Sequence, residues 1–139
     1  MARRFWLLKS DPDTFGWRDL AKARGGKTVW DGVRNYQARN SLRDDVKRGD
    51  GVLFYHSQSE KAVVGTCRVT RGGFPDPRDP AWTAIEIGLE EALAKPVTLE
   101  AMRNVRGLSK MALLQRGSRL SVQPVTEAEW EIVRRMGRA

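Results

Sequence analysis

A chain of 139 residues sits at the usual size of one domain and can bury a core without staples. Its 25 Lys and Arg against 17 Asp and Glu leave a formal charge of +8, which points to a polyanionic partner, although the same excess also keeps a small protein soluble. One cysteine, Cys67, excludes a disulfide framework and a thiolate metal site, and the four apolar residues Phe5 to Leu8 are too few for a signal segment or a membrane span.

In chain order, Phe5 to Leu8 reads as a strand stopped by Lys9-Ser10-Asp11-Pro12, and Phe15 to Ala23 as a short helix closed by Gly25-Gly26. Val29-Trp30 begins a new element. Asn35 to Val46 carries Tyr36, Ala38, Leu42 and Val46 at near-helical spacing, with Asn35 available as N-cap and a basic outer face, in a stretch where Arg34, Arg39, Arg43, Lys47 and Arg48 crowd together. Val52 to Tyr55 is a continuous apolar run after the turn at Arg48 to Gly51, and it delivers His56 and Ser57 to its end. After the polar loop from Gln58 to Lys61, Ala62 to Thr70 is the antiparallel return strand, with Gly65 a candidate bulge.

Gly72 to Pro80 is expected to be a loop that its prolines keep out of the sheet, and Trp82 to Leu89 a further strand. Pro96 to Val105 and Ser109 to Leu114 look like short helices and Leu120 to Gln123 like a last strand stopped by Pro124. Thr126-Glu127-Ala128-Glu129 is a capping box that opens a helix reaching about Arg135. About five strands with short helices and no βαβ periodicity predict a single α+β domain over 1–139, its sheet curled into a small barrel.

The catalytic inventory is poor. A Ser-His-Asp relay would have to use His56, whose neighbour Ser57 points to the other face of an extended strand. A zinc deaminase needs more His and Cys ligands than the chain holds, and no Gly-x-x-x-x-Gly-Lys-Ser/Thr segment cradles phosphates. The sequence therefore predicts no enzyme, no metal and no cofactor.

Three segments carry residue types suited to a nucleobase: Lys9-Ser10, Trp30-Asp31-Gly32-Val33-Arg34-Asn35-Tyr36 and Tyr55-His56-Ser57. A base taken out of its stack needs a ring to lie against, worth roughly 1–3 kcal/mol, and polar groups for its Watson–Crick edge. Trp30, Tyr36 and Tyr55 offer rings; Ser10, Asn35, His56 and Ser57 offer donors and acceptors. Each also has a plain structural role open to it: core packing for the rings, an N-cap for Asn35, a satisfied strand-end histidine for His56.

The longer runs that contain them, Trp6 to Pro12, Trp30 to Asn40 and Phe54 to Ser57, with Pro75-Asp76-Pro77, the Trp82 strand and Leu114 to Thr126, resemble in order the motifs of the EVE domain family, which is PUA-like and related to YTH domains. The resemblance implies a pocket on one side of a small β-barrel that receives a modified base, 5-methylcytosine or an oxidised derivative in DNA. It would be built from Lys9, Ser10, Trp30, Asp31, Asn35, Tyr55, His56 and Ser57, with Arg34 and Arg39 facing phosphates. The chain departs from the family pattern at Asp11, where glutamate is usual, and in the short stretch between Pro77 and Trp82.

The expected function is a DNA-binding module that holds a flipped-out modified base without catalysis, as a cytoplasmic monomer away from membranes. Two alternatives stay open: a PUA-like protein reading a splayed base in transfer or ribosomal RNA, and a small PUA-like hydrolase using Lys9 or His56 on a nucleoside derivative.

Overall fold

Two apolar runs form the middle of the sheet. Strands β1 (Phe5–Ser10) and β3 (Gly51–His56) are buried over nearly their whole lengths and pair in parallel, from Phe5 beside Gly51 to Ser10 beside His56. A parallel pair needs a long crossover. Residues 11–50 supply it as helix α1 (Trp17–Lys22), a 3-10 turn at Arg24–Gly26, strand β2 (Lys27–Trp30) and helix α2 (Tyr36–Asp44). The computed structural model describes residues 3–13, 15–57, 61–115 and 120–138. The polar loop expected from Gln58 to Lys61 therefore lies mostly outside the described residues.

The described residues form a mixed six-stranded sheet, ordered β2-β5-β4-β3-β1-β6, with short helices against it, an α+β arrangement. The sheet is not closed: β2 and β6 are its two edges, so the expected curl stops short of a complete barrel. The strand beyond the expected five is β2, four residues whose N-terminal turn gave little periodicity to read.

The expected loop from Gly72 to Pro80 is mostly strand. β4 (Ala62–Asp76) and β5 (Asp79–Thr98) run to within two residues of each other as one long hairpin. Pro75 pairs with Thr83, and shifts of register on either side absorb the residues that cannot join the ladder. The extension is held by α2: a Cβ on Gly73 would lie 2.6 Å from the Leu42 carbonyl oxygen, so the strand backbone passes directly under the helix end. The bulge expected near Gly65 is present, Phe54 facing Gly65 and Tyr55 facing Val63. Gly65 leaves room for the Trp17 ring, which occupies the place of a side chain there.

The helix expected from Pro96 begins later, as α3 (Leu99–Arg103), because Val97 and Thr98 still pair with Val63 and Ala62; the Thr98 hydroxyl accepts the Ala101 N–H and caps it. Ser109 to Leu114 holds only a 3-10 turn at Ala112–Leu114. Strand β6 (Val122–Val125) includes Pro124 instead of stopping before it, which an edge strand tolerates. Helix α4 (Glu127–Arg138) starts with the expected capping box: Glu129 N–H donates to Thr126 Oγ1 and Thr126 N–H to Glu129 Oε1.

Two apolar layers lie on the two faces of the sheet. One holds Trp6, Leu8, Leu20, Trp30, Leu42, Phe54, Cys67 and Ile85; the other holds Phe5, Leu7, Leu53, Tyr55, Val63, Met102 and Trp130. Strand alternation sorts them, and it decides which strand-end residues face the site.

Candidate nucleic-acid interface

The ends of β1 and β2 and the segments that follow them frame a cleft of about 550 Å³, inside the ~300–1,000 Å³ range of small-molecule sites. Lys9, Ser10 and Asp11 form one wall; Thr28, Val29, Trp30, Asp31 and Gly32 form the other; Phe15 and Arg78 complete it. Trp30 is 9% exposed and packs edge-on against Phe54, ring centroids 5.9 Å apart, so its position is fixed by the core while it still lines the cleft. Burial holds the Lys9 ammonium below its usual range. Asp31 and Arg78 approach to 3.5 Å across the rim. A hollow of about 640 Å³ between Arg3, Arg4 and the Asp44–Asp50 segment is larger, but no aromatic ring lines it.

Of the residues expected at the pocket, Lys9, Ser10, Trp30 and Asp31 come together in this cleft. Ser57 adjoins it: its N–H and hydroxyl both donate to the Ser10 carbonyl, at 2.8 and 3.3 Å. The Ser10 hydroxyl donates to the Phe15 carbonyl. His56 is buried beneath α1, where Nε2 accepts the Trp17 N–H at 3.0 Å, which requires a lone pair on that nitrogen.

Tyr55 is not brought to the cleft. It alternates with Phe54 and His56, so it enters the opposite layer against Leu7, Val63 and Met102, where burial raises its phenol despite the opposing charge of Arg103. Asn35 caps α2, its Oδ1 accepting the Ala38 N–H at 3.0 Å.

The two arginines expected at phosphates are also engaged. Arg34 donates to Asp76 Oδ2 at 3.0 Å and to the Val33 carbonyl at 3.1 Å. Arg39 donates to Asn40 Oδ1 and to the Ala81 carbonyl.

Asp76 is the residue that sequence reasoning passed over. Its side chain is fully buried and accepts the N–H groups of Gly32 and Arg78 as well as Arg34. Burial pushes its carboxyl up, but these three donors outweigh it and hold it below the usual carboxylate range. Two of the three belong to cleft residues, so this carboxylate shapes the wall.

The model of the EVE domain matches residues 4–136. The chain belongs to the EVE domain family. A solved protein from Agrobacterium tumefaciens is 40% identical, with a TM-score of 0.89 over 96% of this chain and 92% of that one. Thymocyte nuclear protein 1 of Danio rerio is 32% identical over 92% of this chain and 69% of its own length. Human THYN1, solved in complex with 5-methylcytosine-containing DNA, is 27% identical, with a TM-score of 0.89 over 98% of each chain.

In this EVE domain the cleft thus rests on two supports from different parts of the chain. Core packing fixes Trp30, and the hairpin tip, through Asp76, fixes Gly32 opposite Arg78. Pro75-Asp76-Pro77 reads in the sequence as part of a loop; that its carboxylate turns inward from the end of β4 to hold the loop after β2 is not legible, since nothing in spacing links residues 44 positions apart.

Proposed function

We propose that this EVE domain binds DNA and holds a modified cytosine, turned out of the helix, in the cleft lined by Trp30, without acting on it chemically. The observation that carries the reading is the cleft: an aromatic wall fixed by the core, with Asp31 beside the ring and Lys9 and Ser10 across from it, at a volume suited to a small planar ligand. A rigid ring and convergent polar groups are what a splayed base requires. The human THYN1 complex with 5-methylcytosine-containing DNA, superimposing over 98% of both chains, supports DNA as the partner. The commitment of His56 Nε2 to a helix N–H speaks against the acid–base role a hydrolase would ask of it.

Fluorescence anisotropy with paired duplexes, identical except for 5-methylcytosine or cytosine at one position, tests this. The protein should bind the methylated duplex more tightly, and Trp30→Phe should erode that preference. Phe is chosen because truncating a core tryptophan to Ala costs about 3–5 kcal/mol of stability. Equal affinity of the wild type for both duplexes would sink the reading.

A further inference from the structure

Beside the cleft, Tyr36 at the start of α2 stacks on Trp82 of β5, ring centroids 5.0 Å apart and planes 29° apart, yet Tyr36 remains 66% exposed. The Arg39 guanidinium lies 4.9 Å from the Tyr36 centroid and 5.7 Å from that of Trp82. Arg34 lies 5.4 Å from Trp82. The two rings and the Arg39 guanidinium close a nearly equilateral triangle, so Tyr36 is held by both an indole and a guanidinium. Even so, about two thirds of Tyr36 stays in water. Packing accounts for the half-buried Trp82 but leaves unexplained a tyrosine held by a ring and a guanidinium with most of its surface in water.

An aromatic face held rigid beside cations is a platform for a nucleobase, with a phosphate beside it. Arg39 forms no ion pair with a carboxylate among the described residues, and its bonds to Asn40 and Ala81 are to neutral oxygens, which a phosphate can replace. The ledge is joined to the cleft through one atom: Asp76 Oδ2 accepts both the Gly32 N–H of the cleft wall and the Arg34 guanidinium that lies over Trp82.

We propose that the Tyr36–Trp82–Arg39 ledge is a second nucleotide subsite, stacking the base next to the one held in the cleft and contacting its phosphate through Arg39. This rests on the reading of the cleft as the site of the turned-out cytosine. The ledge adds affinity from the neighbouring nucleotide, whereas the methyl preference belongs to the cleft.

The test is anisotropy titration of wild type, Tyr36→Ala and Tyr36→Phe with a methylated duplex, and with the same duplex carrying abasic sites on both sides of the 5-methylcytosine. Tyr36→Ala should bind the intact duplex about tenfold more weakly while still preferring methylated over unmethylated DNA. On the abasic duplex it should equal the wild type. Tyr36→Phe, which keeps the ring, should restore binding. No loss on the intact duplex, or the same loss on both duplexes, overturns the ledge. A wild type that lacks methyl preference but still shows the flank-dependent loss overturns the cleft reading and leaves the ledge standing; absence of DNA binding overturns both.

Discussion

Asp76 Oδ2 accepts the backbone N–H of Gly32 at 2.9 Å, a bond that spans 44 residues and ties the tip of the long hairpin to the loop after β2. Gly32 has φ +77°, a left-handed conformation that a side chain would strain, and it turns the chain so that this N–H points inward. The cleft wall is therefore held by a buried charge-assisted bond, and several outcomes depend on it.

Asp76→Ala should destabilise the fold by about 2–3 kcal/mol, since bonds to an ionised partner are worth about 1.5–3 kcal/mol and their donors lose it. Asp76→Asn, which keeps an acceptor but not the charge, should fall between the two. Urea denaturation measures both, and a loss under about 0.5 kcal/mol for Asp76→Ala would remove the carboxylate from its supporting role.

The same carboxylate carries a pH dependence. Its folded pKa lies below the unfolded value of about 3.9, so its contribution is fully present above that value and is lost as pH falls through the lower folded one. The stability gap between wild type and Asp76→Ala should be constant from pH 5 to 7 and narrow below about pH 4. A gap that widened on acidification would contradict the sign.

Gly65→Ala should cost about 1–3 kcal/mol, the usual penalty of overpacking. The new methyl would fall within the Trp17 ring, which itself lies edge-on to Phe54 at 5.5 Å. Thermal denaturation should show a lower Tm, and Trp17→Leu in the same chain should recover part of the loss by making room.

For Asn35, the cap to Ala38 predicts that Asn35→Ala costs about 1 kcal/mol while Asn35→Asp, also a good cap, folds normally. If Asn35→Asp also loses discrimination between methylated and unmethylated DNA, the amide has a second role at the base. Full retention assigns Asn35 to the cap alone.

Cys67 is fully buried in the layer beneath α1 and α2, and burial, with the nearby charge of Glu90, pushes its thiol far above the ordinary range. Alkylation with iodoacetamide at pH 8 should be negligible in the native protein and complete in denaturant. Native labelling at the rate of a free thiol would contradict the burial.

The sequence by itself determined the strands at Phe5, Val52, Ala62 and Trp82 and the capping box at Thr126, and it offered the bulge near Gly65 and the cap at Asn35. Each is written in neighbours along the chain: apolar runs, a glycine inside a β-branched strand, a side-chain acceptor before a helix. The same local logic brought Lys9, Ser10, Trp30 and Asp31 to notice, and the tertiary structure puts them in one cleft.

Pairing and facing were decided only in three dimensions. Pro75 enters a strand because α2 lies over the hairpin, Pro124 because β6 is an edge, and Tyr55 leaves the cleft because alternation from Phe54 sends it to the opposite layer. Asp76 becomes a support because folding brings Gly32, Arg34 and Arg78 around a carboxylate that is buried only then. Such a contact leaves no trace in periodicity, since its strength comes from the desolvation that the finished fold imposes.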